Sequence, residues 1–153
     1  MTLIRNKQVQ TDHWHYLKEA SHLINTPIIV DLEYWQANKD TLINKDIHLG
    51  LKIFGDTAPA TFAGDLIYFK LIAIEIPSFV DGRGYSLARI LREFYHYSGE
   101  LRAIGDIQPD QALYLTRVGF DALELENDDL ASLAIDKLGA FSVFYQPAGE
   151  EGL

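Results

Sequence analysis

Cysteine is absent from this chain of 153 residues. That excludes disulfides, thiol redox chemistry and cysteine-ligated iron–sulfur or zinc centres. Basic residues are scarce: 13 Lys and Arg against 22 Asp and Glu leave a formal net charge of −9. A nucleic-acid backbone is bound by clustered Lys and Arg, so no nucleic-acid partner is expected. No run of about 18 apolar residues occurs, so nothing reads as a membrane span. Residues 1–7 lack the apolar stretch of a secretory signal, and a cytoplasmic protein is the expectation. The histidines do not suggest a metal site. His13 and His15 are two apart, not at the three- or four-residue spacing that shares a helix face. Neither a metal nor a cofactor is expected.

What is present is bulk. Apolar residues make up 48% of the chain, with eight Phe, eight Tyr and two Trp, enough to build a core. The length suits one domain, residues 1–153, with a less regular segment over 1–26 and a tail over 147–153. Leu3-Ile4 and Val9, split by polar residues, suggest a small hairpin. Residues 27–30 read as a short strand, and Asp31 as the cap of a helix running to about Asn44.

A strand–helix alternation follows. Strands are expected at 47–54, 71–76, 101–106, 120–125 and 141–145. Helices are expected from Pro59 (stripe Phe62, Leu66, Phe69), from Ser86 to a stop at Gly99, and from Pro109 to Gly119. A further one runs from Asn127 to Gly139. The near-continuous apolar strands suit a parallel sheet covered on both faces. Such repeats imply right-handed βαβ crossovers. An eight-stranded barrel typically needs about 250 residues, so an α/β fold with an open parallel sheet or a partial barrel-like sheet is expected. Two exposed sheet edges would favour a homodimer.

The segment Asp81-Gly82-Arg83-Gly84-Tyr85-Ser86 joins the strand at 71–76 to the next helix. Ligands of α/β proteins bind outside the carboxyl ends of the strands, where such loops lie. Gly82 and Gly84 at a helix N-terminus could cradle an anion, with Arg83 supplying a planar fork and Tyr85 and Ser86 further donors. Equally, the glycines could serve a tight turn through positive φ, with Arg83 paired to Asp81. The pattern is neither a dinucleotide fingerprint nor a phosphate loop, lacking a third glycine and a Gly-Lys-Ser/Thr. Glu75, near the end of its strand, is either an ion-pair partner of Arg102 or an acid–base group. Asp106 stands at the end of the next strand, on the rim shared with Asp81, or else caps the helix near Pro109. Arg83, Arg89, Arg92, Arg102 and Arg117 crowd the middle and hint at a locally positive site. Trp14 and Trp35 read as packing.

Three stretches, residues 81–93 (DGRGYSLARILRE), 99–106 (GELRAIGD) and 117–122 (RVGFDA), resemble in this order a bacterial domain-of-unknown-function family. Its genes sit beside assimilatory sulfite reductase, and its members are labelled oxidoreductases of sulfite reduction. The resemblance is strongest over 47–146 and brings no catalytic residue with it. Many relatives carry a basic residue where this chain has Pro109, and many a cysteine where it has Val118, so no cysteine-dependent reaction can be run here. What the resemblance implies is an accessory protein of sulfite reduction, binding the reductase or its electron donor. The alternatives are a small enzyme or oxyanion-binding protein using Asp81, Glu75 and Asp106 with the glycine loop and Arg102, and a flavin- or nicotinamide-dependent oxidoreductase.

Overall fold

Alternating and continuous apolar runs build one mostly parallel sheet with helices on one side. The computed structural model describes residues 1–17, 26–77 and 82–144. In chain order these give β1 (Thr2–Arg5), β2 (Gln8–Gln10), β3 (His15–Tyr16), β4 (Ile28–Asp31) and α1 (Leu32–Ile43). Then come β5 (Leu49–Phe54), β6 (Phe69–Ile76), α2 (Arg83–Glu93), β7 (Glu100–Gly105), α3 (Ala112–Val118), β8 (Ala122–Leu125) and α4 (Asp128–Phe144). The sheet order is β2-β1-β8-β7-β6-β5-β4-β3. From β3 to β8 every neighbouring pair is parallel. The fold is thus the expected α/β class, an open sheet curled into a half-barrel.

Register decides which side chains meet. Asp31 pairs with Lys52, Lys52 with Ala73, Ala73 with Arg102, and Arg102 with Ala122. Residues of this phase share one face of the sheet, since side chains alternate with period two. The other phase, including Val30, Leu51, Ile53, Ile72, Ile74, Leu101 and Leu123, packs with Trp35, Leu87, Leu91, Leu115 and Ala134 of the helices into the main core. The first phase forms an inner face with its own small cluster, Ile29, Leu71, Ala73 and Ile104, packed by Trp14 and Tyr16.

Several local readings hold. Asp31 caps α1, its carboxylate accepting from the Tyr34 N–H at 2.7 Å. Asn127 accepts from the Leu130 N–H at 2.9 Å and starts α4. Gly119 ends α3 with φ 121°. The Leu3-Ile4 and Val9 hairpin forms, its turn made by Asn6 and Lys7 in the left-handed region at φ 57° and 61°.

Others are corrected. The segment from Pro59 is two 3-10 helices, Pro59–Thr61 and Ala63–Tyr68, and Phe69 already belongs to β6. Phe62, at φ −136°, separates the two pieces. Helix α2 starts at Arg83, not Ser86, and ends before His96 takes φ 56°, so Gly99 is not its stop. After Pro109 a 3-10 turn precedes α3. No strand forms from residue 141 as far as Phe144, because α4 runs through Gly139 to Phe144. The place beside β8 is taken by β1, which pairs antiparallel from Thr2↔Leu125 to Arg5↔Ala122. The sheet edges are therefore β2 and β3, of three and two residues, too short to support the expectation of a dimer from bare edges. Among the described residues no helix is long and apolar enough to cross a membrane.

Helix α2 lies unusually close to the sheet. A Cβ on Gly55 would meet the Gly84 backbone nitrogen at 2.7 Å, and one on Gly84 would meet Ile76 Cγ1 at 2.9 Å. Gly55→Ala should therefore cost about 1–3 kcal/mol, the usual range for overpacking. Urea unfolding of the purified variant checks this; a loss under about 0.5 kcal/mol would mean that α2 can move away freely.

Candidate functional site

The residues of the expected loop site fall into separate surroundings where the structure describes them. Asp81 lies outside the described residues. Strands β6 and β7 run parallel, so Arg83 and Asp106 follow strand ends on one rim. Their side chains are engaged separately. Arg83 lies 3.6 Å from Asp56 in the open, and its expected pairing with Asp81 falls outside the described residues. Asp106 accepts from Gln108 Nε2 at 2.7 Å. Gln108 and Gln111 form the capping box after it, so Asp106 is not the cap near Pro109. Gly82 and Gly84 do not have positive φ; Gly84 serves the close helix–strand approach instead. Tyr85 accepts from Gln111 Nε2 and stacks edge-to-face on Tyr114, its phenol pKa raised by burial. Both Tyr85 and the exposed Ser86 border an outer groove between α2 and α3.

The arginines are dispersed too. Arg92 donates to the carbonyls of Tyr97, Gly99 and Gly119 at 2.7, 2.8 and 3.0 Å, and to Asp121 at 2.5 Å. Asp121 also accepts from the Leu101 N–H at 2.9 Å. This one side chain ties together the three stretches that carry the family resemblance. Its role is to fix the turns before β7 and β8.

The inner face gathers the charged strand residues. Lys52 on β5 pairs with Glu75 on β6 at 3.1 Å, both side chains about one-third exposed at 31% and 30%. Lys52 Nζ also lies 5.5 Å from the Phe54 ring. Glu75 thus pairs with Lys52 and not with Arg102. Arg102 is fully buried and contacts Asp12 at 2.8 Å, Glu124 at 3.1 Å and Glu100 at 3.2 Å. Glu100 meets Arg5 as well, at 2.6 Å. Tyr16 donates to Glu124 at 3.1 Å. Burial would lower the Arg102 pKa, but hydrogen bonding and charge from Asp12, with Glu100 and Glu124, outweigh it and hold it above its usual value. The Tyr16 phenol is pushed well above its usual value by burial and by Glu124.

These contacts hold residues 11–17 across the inner face as a strap. Trp14 lies over Gly50, where a Cβ would meet its ring at 3.2 Å. The Trp14 N–H donates to Asp12 at 3.0 Å. Between strap and sheet lies a cleft of about 870 Å³. Its walls include Trp14, Tyr34, Ile29 and Ile104, and its polar floor is Asp31, Lys52 and Glu75. Asp31, Glu75 and Gly105 stand at or next to the carboxyl ends of β4, β6 and β7, where ligands of parallel sheets bind. Gly105 turns the chain there at φ 98°, leaving no room for a Cβ, which would collide with the Ile76 carbonyl oxygen. Trp14 is thus a wall of the cleft and not only packing, while Trp35 is buried in the main core. The sequence reading missed Asp12, Trp14, Tyr16, Lys52 and Glu124. One signal marked the strand residues: Lys52, Glu75, Arg102 and Glu124 all stand on the same phase of successive strands. Among the described residues no three His, Asp or Glu side chains are placed to hold a metal ion.

The molecule is a half-barrel α/β protein with a strapped cleft at the carboxyl ends of its strands. It belongs to the family described as bacterial protein of unknown function (DUF934), whose model matches residues 50–152. The match takes in Lys52, Glu75, Arg102 and Glu124 but not the strap. No curated protein matches the chain.

Arg102→Met should cost about 3–5 kcal/mol, since it strands Asp12, Glu100 and Glu124 without their cation. Urea unfolding measures the loss; an unchanged midpoint would show that these carboxylates need no partner. Alkali tests Tyr16. Its folded pKa lies above the unfolded value of 10.0, so its contribution is complete below pH 10 and is lost as pH rises beyond it. Tyr16→Phe should flatten the fall of melting temperature above pH 10. An equally steep fall would place the alkaline loss elsewhere.

Proposed function

We propose that this protein is an accessory protein of assimilatory sulfite reduction in the bacterial cytoplasm, acting by binding and carrying no redox group of its own. The link to sulfite reduction rests on the resemblance of residues 81–93, 99–106 and 117–122 and on the gene neighbourhood of that family. The lack of cysteine removes thiol redox as an alternative. The observation that carries the binding part is the inner-face cleft. A small apolar cluster, aromatic walls and a partly exposed Lys52–Glu75 pair form the mix of apolar surface and few convergent polar groups typical of ligand sites. In this reading Lys52 meets an anionic group of a small ligand, of the reductase or of its electron donor, and Glu75 hands over its partner.

The purified chain should co-purify with the sulfite reductase of its own cell and support the enzyme's stability or turnover. Lys52→Met should weaken that binding about tenfold while shifting the melting temperature little, the pair being partly exposed. A reductase fully active and stable without this chain would refute the accessory role. Trp14 in the cleft provides a fluorescence signal for ligand titrations.

A second reading places a small oxyanion such as sulfite, sulfate or phosphate at the first turn of α2. It is favoured by one observation: among the described residues no side chain caps that turn, and the exposed Arg83 stands in it. Arg83→Ala should then weaken anion binding by about 1.5–3 kcal/mol with little effect on folding. Equal calorimetric affinity of wild type and variant for these anions would remove this reading.

A further inference from the structure

Helix α2 carries a surface that the cleft does not use. Its outer side exposes Arg89, Ile90, Glu93 and Phe94. Phe94 is 72% exposed and Ile90 40%, on a helix whose opposite side is sealed against β6 by Gly84, Leu87, Ala88 and Leu91. Beside them runs the groove between α2 and α3, about 530 Å³, with Tyr85, Tyr114 and Val118 along its walls. Tyr114 is itself half exposed, at 50%. Apolar side chains grouped in this way on one surface mark contact sites more often than isolated ones do.

The charges of this surface identify the occupant. Arg89 and Glu93 are four residues apart and point from the same side of the helix. Neither makes an ion pair or hydrogen bond among the described residues. One cation and one anion, equally spaced about a point on the helix, are complementary to themselves when a second α2 lies antiparallel. A two-fold axis passing between them sets each Arg89 opposite the other copy's Glu93. The same operation brings the two Ile90 side chains near the axis and each Phe94 toward the other copy's groove. A self-complementary patch of this kind is the requirement of an isologous dimer.

We propose that α2 is the homodimer contact of this protein, two copies packing antiparallel through Arg89, Ile90, Glu93 and Phe94. The sheet edges take no part, and the inner-face cleft of each copy stays open. The contact is independent of whatever the cleft binds.

Sedimentation equilibrium of the full chain tests this. Wild type should be a dimer. Phe94→Asp should raise the dimer dissociation constant at least about tenfold, with an unchanged circular dichroism spectrum because the site is exposed. Arg89→Glu and Glu93→Arg should each weaken the dimer about tenfold by setting like charges opposite one another. The double variant Arg89→Glu/Glu93→Arg should recover wild-type affinity to within about threefold, since both pairs are then reversed in both copies. A monomer at millimolar concentration overturns the proposal. A dimer insensitive to Phe94→Asp but broken by Val9→Pro overturns it in favour of the β2 edge. Failure of the double variant to recover overturns the antiparallel pairing.

Discussion

A single buried cation, Arg102, holds the inner face of this protein together. An arginine with no exposed surface in the middle of a parallel strand is costly to desolvate. It is tolerated because three carboxylates from three parts of the chain reach it. Glu100 lies on its own strand, Glu124 on the next, and Asp12 comes from the strap. Its Nη2 lies 3.2 Å from Glu100 yet lacks an aligned hydrogen bond, so the pairing is electrostatic more than geometric there. The strap gains its position from this cluster. The cluster shares that task with the backbone pairing of β3 on β4, where His15 N–H donates to Pro27 O and Leu17 N–H to Ile29 O, each at 3.0 Å. The strap's side-chain anchors lie on β7 and β8, and the cleft beside them keeps Lys52 and Glu75 of β5 and β6 partly exposed.

The two faces of the sheet obey different rules. The outer face is covered by helices and is apolar at every central position, with close approach secured by Gly55 and Gly84. The inner face has only the strap among the described residues, so it carries charge. Lys52 and Glu75, on β5 and β6, stay partly exposed, whereas Arg102 and Glu124, in the same rows on β7 and β8, are buried. This gradient separates the structural charges from those open to a ligand. A half-barrel with its helices on one side thus produces a site from the strands themselves, and the loops matter less than in a fully wound sheet.

Much of the fold was legible because local chemistry and tertiary need agreed. Asp31, Asn127 and Gly119 act as their residue types prescribe, and the apolar runs became parallel strands. The failures came where distant pairing overruled local signals. Gly139 looks like a helix end, but the sheet position a following strand would use belongs to β1. Pro59 opens a short 3-10 turn, and Phe62, buried in the main core at φ −136°, breaks the run before a second one. The inner-face cleft was overlooked for a related reason. Glycines near Arg83 suggested an anion loop, yet at Gly84 the missing side chain serves packing. Lys52, Glu75, Arg102 and Glu124 were visible from the start, but runs read as uniformly apolar conceal which phase each charge occupies. Only the register from β5 to β8 puts them on one face.

The stretches that carry the family resemblance then take on a specific meaning. Arg92 in the first reaches Gly99 in the second and Gly119 and Asp121 in the third, and Asp121 accepts from Leu101 where β7 begins. These contacts lie at the amino ends of β7 and β8, opposite the cleft. They tie α2 to the turns that lead into β7 and β8, the strands that carry Arg102 and Glu124. Motifs of this kind preserve the frame of a site without touching its ligand. That is why a chain can belong to the family and share its most distinctive residues while those residues say little about the reaction. The chemistry is to be sought in the strand residues of the inner phase, where Lys52 and Glu75 are the pair left accessible.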